Sequence, residues 1–217
     1  MDKARRNVLK AAAGLAALGA VSACHAQNNG SAQTAAPAAS TGDNMPNNNR
    51  NMRTLVLVSH PYFERSTLTK GLYEAAQSVD GITVRHLDLI YGNDVGTIDV
   101  AAETRLMNQH DRIVFVFPTH WFNITPMLKA WLNDVWGSVG PDRWRGKEML
   151  VVSTAAGGSS TYGANGRIGV PLADVFLPMK ATALHCGMSY LPPLVFESAS
   201  SSRLPEYQQA LIQRLQS

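Results

Sequence analysis

The chain has 217 residues, enough for one folded domain with appendages, and 45% of them are hydrophobic against 16% charged. Its net charge of +3 equals Lys3, Arg5, Arg6 and Lys10 set against Asp2, so the rest of the chain is close to neutral. The pI near 9.0 therefore reports the amino terminus, and a nucleic-acid partner is not expected. Two cysteines, Cys24 and Cys186, offer no disulfide framework, and no metal site is expected.

Lys3, Arg5, Arg6 and Lys10 form a basic stretch that resembles a twin-arginine export signal. Residues 11–20 are apolar but fall well short of the roughly 20 needed to span a bilayer. Val21-Ser22-Ala23-Cys24 resembles a lipobox, so 1–24 reads as a signal peptide with Cys24 the lipidated residue. From 25 to 52 the chain is Asn, Ala, Ser, Gln and Thr with scattered Gly and Pro, too polar to bury a core. It is expected to be a disordered tether. The predicted location is the periplasm or cell envelope, anchored to a membrane by lipid, or the cytoplasm if the signal is unused.

Residues 53–217 alternate strand and helix patterns. A strand over 54–59 (TLVLVS) precedes a helix over 66–78, with Ser66 as N-cap and Leu68, Leu72 and Ala75 inward. A second strand is predicted over 82–89, from the loose alternation of Ile82, Val84, His86 and Leu89, then a helix over 100–109. Ile113–Phe117 is a continuous apolar run, the mark of a strand buried on both faces. After Pro118, the residues Met127, Leu128, Trp131, Leu132, Val135 and Trp136 recur at helical spacing. They are more apolar surface than one sheet face usually absorbs, which points, with Trp144, to a homodimer contact. A fourth strand over 148–154 leads to a loop of small residues. A long helix over 171–186 follows, with Leu172, Val175, Phe176, Met179 and Leu184 inward. A fifth strand over 190–197 contains Pro192-Pro193 and so belongs at an edge or bulge, and a helix over 206–215 ends the chain. This rhythm predicts an α/β fold, a doubly wound five-stranded parallel sheet with helices on both faces.

Three loops then fall at the carboxyl ends of three strands, where open α/β sheets bind ligands. The first, from Ser59 through His60 to Ser66 and Thr67, feeds a helix N-terminus suited to phosphate. The second, Thr119-His120-Trp121-Phe122, offers a wall for a flat ring. The third, Thr154-Ala155-Ala156-Gly157-Gly158, lets backbone N–H groups approach a ligand edge. Taken singly, Ser66 is no more than a cap, Gly157-Gly158 a turn, and Trp121 and Phe122 a core plug. Neither the triphosphate loop motif nor the dinucleotide G-x-G-x-x-G is present. His86 and His185 read as packing or surface residues, and Cys186 as buried.

The stretches SHPYFERSTLTKGL, IDVAAE, FPTHWFNITPMLKAWLNDVW, STAAGG and ATALHCGMSYLPP resemble the flavodoxin-like NAD(P)H:quinone oxidoreductase family, which includes DT-diaphorase. They are most similar to the ancillary oxidoreductases of glutathione-gated potassium efflux systems. The resemblance implies FMN as cofactor, NAD(P)H as reductant, and two-electron, ping-pong hydride transfer to a quinone or similar flat acceptor. It implies that His60, Ser66, Thr67, Leu68 and Thr69 hold the phosphate and ribityl chain. Pro118, Thr119, His120, Trp121 and Phe122 would lie along the flavin ring. Thr154, Ala155, Ala156 and Gly157 would face its polar edge with their N–H groups. His120 and Tyr162 are the candidates for catalysis, and relatives pair as homodimers.

Departures from the family pattern are also legible. Ile168 stands where many members carry a histidine six residues beyond the tyrosine, leaving Arg167 or His120 as substitutes. The 136–146 loop is shorter than in relatives. Export also conflicts with a cytoplasmic reductant, so a membrane quinol or a redox partner is the alternative donor. A non-catalytic flavin-binding ancillary subunit and a flavodoxin-type electron carrier remain the other readings.

Overall fold

The apolar run at the centre of the chain becomes β3 (Arg112–Pro118), every residue of it buried except the last. In this computed structural model, which describes residues 52–92, 94–137 and 140–217, β3 lies between β1 (Thr54–Val58) and β4 (Glu148–Thr154). The leader, Cys24 and all of the 25–52 tether but Met52 lie outside the described residues. Register is parallel on both sides, with Val56 opposite Val114 and Val114 opposite Leu150. β2 (Ile82–His86) pairs with the outer side of β1, and β5 (Ser189–Tyr190) and β6 (Leu194–Phe196) pair with β4, giving five strands plus one.

Both faces of the central strands are covered, which is why their sequences run apolar without alternation. Val56, Val114 and Leu150 pack under α1 (Thr67–Gln77) and α6 (Leu204–Gln216) through Leu72, Ala76, Tyr207 and Leu211. Leu55, Phe115 and Val151 face α3 (Val100–Gln109), α4 (Pro126–Trp136) and α5 (Leu177–His185).

Four expectations need correction. The second strand stops at His86, because the His86 Nδ1 accepts the Leu89 N–H at 3.1 Å and caps a short helix, α2 (Leu87–Tyr91). Leu89 is exposed there, not part of a strand. The 171–186 helix divides into a 3-10 turn, Leu172–Phe176, and α5, because Pro178 has no N–H to continue a ladder and sits in the first turn of α5. Leu184 points outward while Leu172, Phe176 and Met179 are buried. The fifth strand divides at Pro192-Pro193, so that β5 pairs with the start of β4 and β6 with its end. Finally, the six apolar residues of α4 are at most 7% exposed, and Trp144 is 1% exposed. Phe115, Trp131, Trp136 and Trp144 form a run of ring contacts 6.0 to 6.3 Å apart, which absorbs within one chain the surface assigned to a dimer.

Candidate active site

β1, β3 and β4 end at one edge of the sheet, and their loops meet there. The first loop makes a 3-10 turn, Phe63–Arg65, before α1. Ser66 Oγ accepts the Thr69 N–H at 3.1 Å, the N-cap bond expected from the sequence. The Ser66 carbonyl takes the Lys70 N–H. Thr67 and Leu68, at the first two helical positions, have no intrahelical acceptor for their N–H groups and line the cleft. A helix N-terminus of this kind attracts anions.

His60 is fixed at both ends. Its N–H donates to Asp88 Oδ2 at 2.9 Å, and its Nδ1 accepts the Tyr62 N–H at 3.0 Å. An accepting Nδ1 places the proton of the neutral ring on Nε2. Burial, and then the neighbouring His120 ring 5.8 Å away, hold the His60 pKa below its ordinary value.

The second loop is tied to the third. Thr119 N–H donates to the Thr154 carbonyl at 2.8 Å, and the Thr119 and Ser153 hydroxyls are 2.9 Å apart. His120 and Asn123 exchange backbone bonds of 3.1 and 3.0 Å, which turns the chain through Trp121 and Phe122 at φ +48° and +59°. Positive φ at two bulky residues is strained and persists only where surrounding bonds impose it. The turn leaves Trp121 93% exposed.

The third loop is zipped to the segment after β6. Ala155 N–H donates to the Phe196 carbonyl, Ser198 N–H to Gly157, and Ala199 N–H to Ala155, at 2.8 to 2.9 Å. The approach is close enough that a Cβ on Gly158 would lie 2.0 Å from Ser198 Oγ, so any larger residue there would force the Ser198 hydroxyl to turn away.

Together these loops enclose a cleft of about 390 Å³ lined by His60, Arg65, Ser66, Thr67, Leu68, Pro118, Thr119, His120, Thr154, Ala155, Ala156, Ala199 and Ser201. Ten of the expected residues are in that set; Thr69, Trp121, Phe122, Gly157 and Tyr162 are not. Thr69 is buried and its N–H is committed to Ser66, so it supports the helix start and that N–H is not available to a ligand. The Ala155 N–H is likewise committed to Phe196, so it does not face a ligand edge. Phe122 and Tyr162 pair edge to face at 6.0 Å. Burial, and then the Glu197 charge, raise the Tyr162 pKa, so its phenol keeps its proton at neutral pH. His86 is a packing histidine against Phe63, at 4.1 Å between centroids, His185 is exposed and Cys186 is buried.

Sequence reasoning missed Arg65, Ala199 and Ser201 in the lining, and Ser59, Asp88 and Thr125 beneath it. Arg65 and Ser59 share a loop with His60, a signal that was available. Asp88 was hidden because its segment reads as a strand.

The flavodoxin-like fold model matches residues 52–217. The chain belongs to the flavodoxin-like family. Within it, the chain is 36% identical over 172 residues to general stress protein 14 of Bacillus subtilis, covering 72% of this chain and 97% of that one. It is 35% identical over 146 residues to the uncharacterized NAD(P)H oxidoreductase YrkL of the same organism, covering 65% and 83%. The structure of general stress protein 14 from Treponema denticola in complex with FMN superposes with a TM-score of 0.69 at 31% identity, covering 76% of this flavodoxin-like chain and 98% of that one.

Proposed function

We propose that the cleft binds FMN without a covalent bond and that the protein is an NAD(P)H oxidoreductase, passing two electrons to a quinone or similar flat acceptor by a ping-pong route. One observation carries this reading. The N–H groups of Thr67 and Leu68, without an acceptor among the described residues, make an anion seat with Ser66 and Arg65 beside them, in a cleft whose other walls are Thr119, His120 and the small residues Ala155 and Ala156. The donor set fits a phosphate ester carrying a planar ring. The FMN complex of the Treponema relative and the NAD(P)H oxidoreductase relative support it.

Bound FMN would supply hydride transfer, leaving the protein to bind, orient and stabilise charge. His60 presents Nε2–H as a donor of fixed tautomer. The exposed His120 ring would polarise an acceptor oxygen, with Tyr162, which keeps its proton, as a second donor from outside the cleft lining. Trp121 and Phe122 offer exposed ring surface for a flat acceptor. The test is purification of the full chain, identification of any released flavin, and steady-state assay with NADH or NADPH and a benzoquinone. FMN with parallel double-reciprocal lines is expected; a flavin-loaded protein without turnover would favour the binding-subunit reading.

We propose in addition that the chain is exported, lipid-anchored and homodimeric. Export by the twin-arginine signal and lipid anchoring at Cys24 predict that Cys24→Ser moves the protein to the soluble fraction with FMN retained. Homodimer formation, with α4 internally satisfied, would use exposed apolar groups such as Trp121, Leu177 and Leu184. Light scattering that reports a monomer would remove it.

A further inference from the structure

Asp88 sits in the first turn of α2 and lines no part of the cleft, yet two of the cleft's walls depend on it. Its Oδ2 accepts the Ser59 hydroxyl at 2.7 Å and the His60 N–H at 2.9 Å. Ser59 Oγ also lies 2.5 Å from Thr125 Oγ1. Ser59 has one hydroxyl proton, and Asp88 takes it, so Thr125 must be the donor in the second bond. The direction is therefore set as Thr125 to Ser59 to Asp88. Both hydroxyl residues have no exposed surface.

Thr125 is the N-cap residue of α4, but its side chain makes no cap bond. Its hydroxyl is committed to Ser59 instead, and Pro126 at the helix start, having no N–H, leaves one donor fewer to satisfy there. The loop that carries His60 and the loop that carries Thr119 and His120 are thus joined below the cleft by a buried relay ending on one carboxyl group.

We propose that Asp88 is the positioning residue of this site: it holds His60 in place, couples the first and second loops, and so preforms the cleft for FMN. The inference rests on the FMN reading above. A second buried carboxyl group provides the contrast. Glu103 accepts from Arg85, Tyr91 and Trp131, and none of these four lines the cleft.

The test uses the full chain with Asp88→Ala, Asp88→Asn, Ser59→Ala and Thr125→Val, and Glu103→Gln as control. Two quantities are measured: hydrogen exchange of the His60 amide without flavin, and FMN affinity by fluorescence titration. Asp88→Ala is expected to speed His60 exchange and weaken FMN about tenfold or more, the scale of losing a hydrogen bond to a charged acceptor. Asp88→Asn retains an acceptor oxygen and should lie between wild type and Asp88→Ala. If Asp88→Ala does not fold, the near-isosteric Thr125→Val and the small Ser59→Ala carry the test, with shifts in the same direction. Unchanged His60 exchange, or a loss of FMN affinity no larger than in Glu103→Gln, would overturn the proposal. If the wild type binds no FMN, the flavin reading fails, and the clamp stands or falls on His60 exchange.

Discussion

At the amino-terminal edge of the sheet charged side chains are bonded to one another or to backbone carbonyls, whereas at the carboxyl-terminal edge polar groups face an open cleft. Arg53 meets Asp111 at 3.0 Å, Arg112 meets Glu148 at 2.7 Å, and Lys147 donates to the His110 carbonyl. Arg112 also reaches the Arg214 carbonyl and ties α6 to β3. At the other end of the same strands, the Thr67 and Leu68 N–H groups have no acceptor among the described residues, the His60 and His120 rings meet edge-on, and Trp121 and Phe122 hold strained φ angles. One edge spends its polar groups on closure. The other keeps them for a ligand, which is where strain and unsatisfied donors belong in a binding site.

The sharpest way to break this contrast is to fill the open edge. Ala156 is exposed and lines the cleft, so Ala156→Phe should abolish FMN binding in a titration while the melting temperature stays near wild type. Arg112→Ala should do the converse. It leaves Glu148 without its partner in a largely buried pair, costing about 3 kcal/mol in denaturant unfolding with FMN affinity unchanged.

A smaller effect comes from pH. Burial lowers the pKa of both His60 and His86 below the ordinary 6.5, so the folded state favours their neutral forms. The unfolded chain takes up those protons first as pH falls. Stability is therefore complete above the unfolded value and declines as pH drops through it toward the folded values. Melting curves of the flavin-free protein should show a lower Tm at about pH 5.5 than at about pH 7.5, a difference reduced by His86→Phe. The smallest effect is at the exposed end of the amino-terminal edge. Arg53→Ala removes a solvent-exposed pair and should leave Tm and FMN affinity unchanged within error.

Much of this was legible because short-range rules were obeyed. The apolar runs of β1, β3 and β4 lie in a parallel sheet covered on both faces, and Ser66 caps α1 as its hydroxyl and position imply. What was hidden depended on contacts between distant segments. Leu89 fits a strand until the His86 ring caps the next turn, and only then does Asp88 come to lie under Ser59. Trp131 and Trp136 read as excess because their neighbours Phe115 and Trp144 come from other elements. The exposure of Trp121 follows from a backbone exchange between His120 and Asn123 that no side-chain pattern records.

The central claim is that the carboxyl-terminal cleft is a flavin site, and equilibrium titration of FMN with the flavin-free full chain tests it most directly. One FMN per chain is predicted, with its fluorescence altered on binding, no saturation in Ala156→Phe, and wild-type affinity in Arg112→Ala. A wild-type chain that leaves FMN fluorescence and sedimentation unchanged, or an Ala156→Phe chain that binds as tightly as wild type, would contradict it.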